Sequence, residues 1–242
     1  HSARMRLRIR LLLWLSVLLS PHPQPSPFPQ NKRIKISQRQ LPPLFLSLLH
    51  PHTLPQFVAA REKGITVTSE MELFFELCEA PIYAVTGSDG KTTTTTLVSE
   101  MLKAAGKKVW VGGNIGTPLL PLIDQIQPQD YAVVELSSFQ LMDMHYSPHI
   151  AVVTNLAPNH LDMHKDMQEY IDSKRNIYMH QNAFSRLVLN YDNEITRSMS
   201  DSARGEVVFF SYSGENKSGT YLDSEGYLNL NGKRLLHKSE IK

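Results

Sequence analysis

The sequence predicts an α/β fold: a mostly parallel sheet with helices on both faces. Three observations predict it. Between residues 82 and 213, apolar runs of strand length alternate with segments of helical spacing. One alternation, Pro81 to Gly106 (PIYAVTGSDGKTTTTTLVSEMLKAAG), passes from an apolar run through a glycine loop into a helix. The residues able to carry chemistry (Lys91, Thr92, Asn114, Glu135, Ser137 and His160) each follow an apolar run. That places them at the carboxyl ends of strands, where sheets of this class bind ligands.

The totals set the scale. A chain of 242 residues suffices for one large domain or two small ones, and 41% hydrophobic content supports a sizeable core. The single cysteine, Cys78, excludes an intrachain disulfide and makes a reducing compartment the expectation. The net charge of +2 hides an asymmetry. Residues 1–61 hold nine Lys or Arg and no acid, whereas residues 62–242 hold sixteen Lys or Arg against all twenty-three acids. The basic balance belongs to the first part and says nothing about nucleic-acid binding by the second, for which no nucleic-acid partner is expected.

Residues 1–53 do not read as a native domain. Nine of the fifteen prolines precede Arg61. Met5 to Ser20 (MRLRIRLLLWLSVLLS) has a basic start and a short apolar run, as a secretory signal has, but no small-residue cleavage site follows. The run is also short of the roughly 20 apolar residues that span a bilayer. Three readings stand: a signal peptide, a disordered or weakly helical extension, and a non-native stretch fused to a truncated product. Residues 54–81 read as helix (Leu54 to Lys63), strand (Ile65 to Thr68) and helix (Glu70 to Glu79). The last has Leu73, Phe74 and Leu77 on its apolar face and Ser69 with Glu72 as a capping box. The sequence before residue 54 offers this strand no partner.

Residues 82–242 read as a phosphate-binding α/β domain. Ile82 to Val85 is a strand, and a helix with Leu97, Val98, Met101 and Leu102 on one face runs to a glycine stop at Gly106. Between them lies Thr86-Gly87-Ser88-Asp89-Gly90-Lys91-Thr92, followed by Thr93. In such a loop, backbone N–H groups converge on an anion and the helix N-terminus adds partial positive charge. Lys91 would reach the β/γ-phosphates of ATP, and the Thr92 hydroxyl would ligate Mg²⁺. The usual GxxxxGK[ST] spacing is shortened, because its first glycine position is Val85 and the glycine falls at Gly87. A turn that merely joins strand to helix is the alternative, and GKT between a strand and a helix is the context that favours phosphate.

The remaining strands follow in order: Lys108 to Val111, running into Gly112-Gly113-Asn114-Ile115-Gly116; Tyr131 to Leu136, leading to Ser137-Ser138-Phe139-Gln140; and His149 to Thr154, followed by NLAPNHLD. A helix over Asp166 to Gln181 precedes strands at Arg186 to Asn190 and Val207 to Phe210. Thr220 to Leu222, Tyr227 to Leu230 and Arg234 to Leu236 form a β tail with turns at Asp223 to Gly226 and Asn231-Gly232. Glu135 ends an apolar strand, where a carboxylate is costly to bury unless paired or metal-bound; Mg²⁺ and a structural ion pair are the two readings. His160 reads as a metal or phosphate ligand or as a packing residue, and His160, Asp162 and His164 lack the context of a zinc signature. By spacing alone, Lys174 is a surface lysine.

TGSDGKTTTT, GGNIG, VVELSSFQL, TNLAPNHLD and YIDSKRNIY, in this order, resemble the Mur ligase family over residues 54–242. GGNIG and ELSSFQL resemble its D-glutamate-adding branch; the related folylpolyglutamate synthases share the loop and differ after Glu135. The resemblance implies a soluble cytoplasmic monomer with no membrane partner. Its substrates would be ATP, UDP-N-acetylmuramoyl-L-alanine and D-glutamate, and its cofactor Mg²⁺. It implies that residues 54–81 are the end of a UDP-binding domain and 82–242 the ATP-binding domain, with the C-terminal ligase domain absent. ATP would phosphorylate a substrate carboxylate, and the amine of D-glutamate would attack the acyl phosphate. Thr92 and Glu135 would hold one Mg²⁺. His160 and a carbamylated Lys174 would hold a second. Asn114, Ser137 and Gln140 would lie near the muramoyl substrate. Asp89 stands where the family more often has Asn, and Asn159 where it often has Asp. The chain as given is expected to have little ligase activity alone, a truncated nucleotide-binding domain being the non-catalytic alternative.

Overall fold

The computed structural model describes residues 44–47, 55–142, 144–158, 164–216 and 219–240. The first elements are β1 (Leu44–Ser47), α1 (Pro55–Glu62), β2 (Thr66–Ser69) and α2 (Glu70–Leu77). β1 pairs in parallel with β2, Leu44 opposite Thr66 and Ser47 opposite Ser69. This corrects the expectation that β2 has no upstream partner. A four-residue run carries too little alternation to register as a strand by pattern, yet a parallel ladder asks only for extended backbone. The rest of the segment to residue 53 lies outside the described residues.

Ser69 caps α2, its hydroxyl accepting from Glu72 N at 3.0 Å. The expected capping box is only half made. The Glu72 carboxylate accepts instead from Thr68 Oγ1 at 3.1 Å and from the backbone N–H of His145 at 3.2 Å. The buried face of α2 is Met71, Phe74 and Phe75, turned from the expected Leu73–Phe74–Leu77 stripe because the helix also packs on a 3₁₀ turn at Leu120–Gln125.

The main sheet comprises β3 (Ile82–Thr86), β4 (Val109–Gly113), β5 (Tyr131–Glu135), β6 (Ile150–Val153), β7 (Arg186–Asn190), β8 (Glu206–Ser211), β9 (Thr220–Leu222), β10 (Tyr227–Leu230) and β11 (Lys233–His237). Its strand order is β11-β10-β9-β8-β7-β6-β3-β5-β4. All pairs from β9 to β4 are parallel, and β9-β10 and β10-β11 are antiparallel. The mostly parallel sheet is therefore as the sequence predicts. Asn231 (φ 48°) and Gly232 (φ 81°) make the tight turn between β10 and β11.

The helices are α3 (Lys91–Ala104), α4 (Ser138–Leu141), α5 (Met167–Met179) and α6 (Glu194–Ser198). α3 stops at a left-handed Gly106: its N–H donates to Lys103 O and that of Lys107 to Leu102 O, both at 2.9 Å. Two cores sandwich the sheet. On one face Ala84, Ala132, Val134, Ala151, Val153 and Leu189 pack with Phe74, Leu141, Tyr170 and Ile177. On the other, Val85, Val133, Val152 and Val188 pack with Val98 of α3 and with Phe210 and Leu228. Residues of each strand alternate between these faces, so both are dry, as a parallel sheet requires. Among the described residues no helix is long and apolar enough to cross a membrane.

From β3 the chain crosses to β4 on one side, and from β6 it moves to β7 on the other. The sheet's switch point therefore lies between the carboxyl ends of β3 and β6, where ligands of such sheets bind.

Candidate active site

The glycine loop leaves β3 at that switch point. Gly87 has φ 146°, and a Cβ there would fall on Thr154 Oγ1. Gly90 is left-handed (φ 80°) and N-caps α3 without a side-chain bond. Only glycine fits this path, and the end of β6 holds it. Ser88 N donates to Asn155 O at 2.9 Å and Asp89 N to Asn155 Oδ1 at 2.9 Å. Thr154 Oγ1 donates to Asp89 O at 2.7 Å. Ser88 Oγ donates to Ala157 O and accepts from Ala157 N, both at 3.0 Å. The Asp89 side chain is drawn toward Asn155 Nδ2 (3.4 Å). Lys91 Nζ folds over the loop and donates to Gly87 O and Ser88 O at 3.0 Å.

At the loop's rim the end of β5 presents Glu135, 1% exposed. Thr92 Oγ1 donates to its Oε2 at 2.8 Å and Asn114 Nδ2 to its Oε1 at 2.9 Å. Asn114 N also donates to Glu135 O at 2.8 Å, and a side chain at the adjacent Gly113 would collide with that carbonyl. Among the described residues no cation forms a salt bridge with Glu135. A buried carboxylate held by two neutral donors beside a threonine hydroxyl offers hard oxygen ligands, which fit Mg²⁺.

Lys174 lies on α5, facing the sheet at 2% exposure. This overturns the surface position that spacing alone assigned to it. Its Nζ donates to Thr86 Oγ1 at 3.2 Å, and Thr86 Oγ1 donates onward to Leu136 O at 2.8 Å. Burial first and the Lys91 charge second lower its pKa, Glu135 opposes both, and the balance leaves it at about 7. A buried amine that is half neutral near pH 7 is a nucleophile, which fits carbamylation by CO₂.

Other residues fare differently. Ser137 and Gln140 form the capping box of α4: Gln140 N donates to Ser137 Oγ at 3.2 Å and Ser137 N to Gln140 Oε1 at 3.0 Å. Thr93 is exposed on the first turn of α3. His160 and Asn159 lie outside the described residues. His164 is buried, stacked on Phe139 at 5.1 Å, with Nε2 2.9 Å from Ser138 Oγ. The sequence reading missed Thr86, Thr154, Asn155 and Tyr170. The Thr-Asn step closing the β6 run, directly opposite the glycine loop in the strand order, was the available signal for two of them.

Residues 85–241 match the model of the Mur ligase middle domain. The chain is 60% identical over 160 residues to UDP-N-acetylmuramoylalanine--D-glutamate ligase of Acetivibrio thermocellus, covering 66% of this chain and 34% of that protein. It is 54% identical over 188 residues to the enzyme of that name from Clostridium kluyveri, covering 78% of this chain and 41% of that protein. The chain thus spans well under half the length of these curated relatives. Among solved structures, the UDP-N-acetylmuramate:L-alanyl-gamma-D-glutamyl-meso-diaminopimelate ligase from Neisseria meningitides superposes with a TM-score of 0.55 at 18% identity, over 79% of this chain and 65% of that one. MurF from Acinetobacter baumannii does so at 0.51 and 16%, over 77% and 49%. These two speak for the fold alone. The glycine loop clasped by β6, the acid at the end of β5 and the match over residues 85–241 lead to one conclusion: this chain belongs to the Mur ligase family and carries its middle domain.

Proposed function

We propose that this chain carries the ATP-binding core of a cytoplasmic, monomeric ligase that adds D-glutamate to UDP-N-acetylmuramoyl-L-alanine in peptidoglycan precursor synthesis. The reaction class rests on the family, and the substrates rest on the names of relatives 54–60% identical over the matched region. The observation that carries nucleotide binding is the pairing of Thr92 Oγ1 with the buried Glu135 carboxylate at the mouth of the glycine loop.

The backbone N–H groups of Gly87 to Thr93 and the N-terminus of α3 would receive the ATP phosphates. The Lys91 ammonium, a short swing from the loop carbonyls it now meets, would offset charge on the γ-phosphoryl as it moves to the substrate carboxylate. Thr92 and Glu135 would hold Mg²⁺, which when bound supplies neutralising charge on the phosphates. Asn114 would fix the Glu135 carboxylate while its exposed edge meets substrate. Ser137 and Gln140 would line the same rim. Lys174, as its carbamate, would add an anionic oxygen, with His160 as its companion. The amine nitrogen of D-glutamate then attacks the carbonyl carbon of the acyl phosphate; the N–C bond forms, an N–H proton is lost to solvent, and phosphate leaves with the C–O electron pair. What the protein contributes is alignment and charge compensation.

Calorimetry with Mg·ATP, wild type against Lys91→Ala, tests the nucleotide site. Binding that requires Mg²⁺ and is lost in the variant is expected. A folded wild-type protein that binds no Mg·ATP, or a variant that binds as well, would refute it. Assembly of the reaction in a chain spanning the relatives' full length, with phosphate release that depends on D-glutamate, tests the substrates.

A further inference from the structure

Tyr170 occupies a position that neither the family match nor the proposed chemistry assigns. It sits four residues before Lys174, one turn earlier on the same face of α5, and is 1% exposed. Its hydroxyl lies 3.0 Å from Ser88 Oγ in the glycine loop. Ser88 has one hydroxyl proton, and the Ala157 carbonyl, which can only accept, takes it. Tyr170 is therefore the donor, and Ser88 Oγ, accepting also from Ala157 N, is fully satisfied. The face of the same ring lies 4.8 Å from Lys174 Nζ. The ring packs T-shaped against the His164 ring, centroids 5.2 Å apart, and His164 stacks on Phe139 just beyond β5. One buried side chain thus touches the anion-binding loop and the buried amine, and reaches the segment that follows Glu135 through His164.

We propose that Tyr170 is a positioning residue that couples the glycine loop to Lys174, its hydroxyl holding the Ser88 limb and its ring seating the amine. A hydroxyl alone would anchor the loop, and a ring alone would fill the core. The combination means that a loop displaced by ligand moves the surface on which the amine rests, and the converse, since coupling between two sites is reciprocal. The proposal rests on the nucleotide-binding reading only for the ligand measurement below.

Two variants separate the two contacts. Tyr170→Phe removes the hydroxyl and keeps the ring, while Tyr170→Leu removes both. In ligand-free protein, hydrogen exchange across residues 84–96 is expected to quicken in Tyr170→Phe and in Ser88→Ala, with no further quickening in the double variant. Proton NMR of the Lys174 ε-methylene, assigned through Lys174→Arg, is expected to show an upfield ring-current shift. That signature persists in Tyr170→Phe and disappears in Tyr170→Leu. Mg·ADP affinity is expected to fall about five-fold in Tyr170→Phe, the worth of one hydrogen bond. Loop exchange in Tyr170→Phe equal to wild type, or an unshifted Lys174 methylene in wild type, would overturn the coupling. A wild-type protein that shows both signatures and binds no Mg·ADP would refute the nucleotide reading and leave the coupling standing.

Discussion

Gly87 and Gly106 both have positive φ, at 146° and 74°, but their surroundings differ. A side chain at Gly106 meets nothing within 4 Å, so Gly106→Ala is expected to lose only the left-handed backbone preference, about 1 kcal/mol. At Gly87 a methyl group falls on Thr154 Oγ1, the atom that holds Asp89 O. Gly87→Ala is expected to cost about 2–3 kcal/mol and to weaken nucleotide binding as the clasp opens. Urea denaturation of both variants checks the order, and equal losses would contradict it. For Glu135, replacement by Gln keeps shape and removes charge. The gain in nucleotide affinity that Mg²⁺ confers is expected to shrink about ten-fold or more, with metal-free binding little changed. Titrations with and without chelator decide it, since an undiminished Mg²⁺ effect would remove Glu135 from the metal. The sequence made Gly87, Lys91, Thr92 and Glu135 legible because each is chemically odd for its place. It hid Tyr170, because a tyrosine on an apolar helix face looks like packing until its hydroxyl finds Ser88.

The elements of residues 82–236 were readable because each strand is a short apolar run bounded by polar residues, and the helix stop at Gly106 has its own chemistry. Those that escaped are short and depend on a cap or a neighbour: β1 on its ladder with β2, α4 on the Ser137–Gln140 box, α6 on its Asn193 cap, and the turn at Leu120–Gln125 on its packing against α2. Where β3 and β6 begin, one side chain completes the pairing. His149 N donates to Ile82 O at 3.0 Å, and His149 Nδ1 accepts from Ile82 N at 3.2 Å. An accepting Nδ1 carries no proton, and burial lowers the pKa of this histidine from 6.5 to about 4. The unfolded chain therefore binds a proton near pH 6.5 that the folded chain takes up only near 4. Stability from this group is complete above pH 6.5 and falls as the pH drops toward 4, by a ceiling of about 3 kcal/mol. His149→Asn offers an acceptor that does not titrate in this range. Urea unfolding between pH 7.5 and 4.5 is expected to show a shallower decline in the variant, and parallel declines would clear His149 of the effect.

At the scale of the whole molecule, the glycine loop, Glu135 and the Thr154–Asn155 clasp stand on β3, β5 and β6, which are adjacent in the sheet and buried on both faces. The antiparallel strands β10 and β11 lie at the far edge, with Leu235 45% exposed. A ligand gripping the loop is thus expected to bind where the chain opens by global unfolding, so its binding energy should add to global stability. At 100 times its Kd a ligand selective for the native state contributes about 2.7 kcal/mol. For a domain of this size that is a rise in Tm of about 5–10 °C. Thermal melts with a saturating, non-hydrolysable Mg·ATP analogue are expected to show this rise in wild type and none in Lys91→Ala. Hydrogen exchange should place the added protection in β3, β5 and β6, with β10 and β11 near their ligand-free rates, because edge strands open without the centre. Protection confined to the loop itself would mean that the loop detaches from β6 while the sheet stays folded. The Thr154–Asn155 clasp would then be weaker than its four bonds to residues 88 and 89 imply.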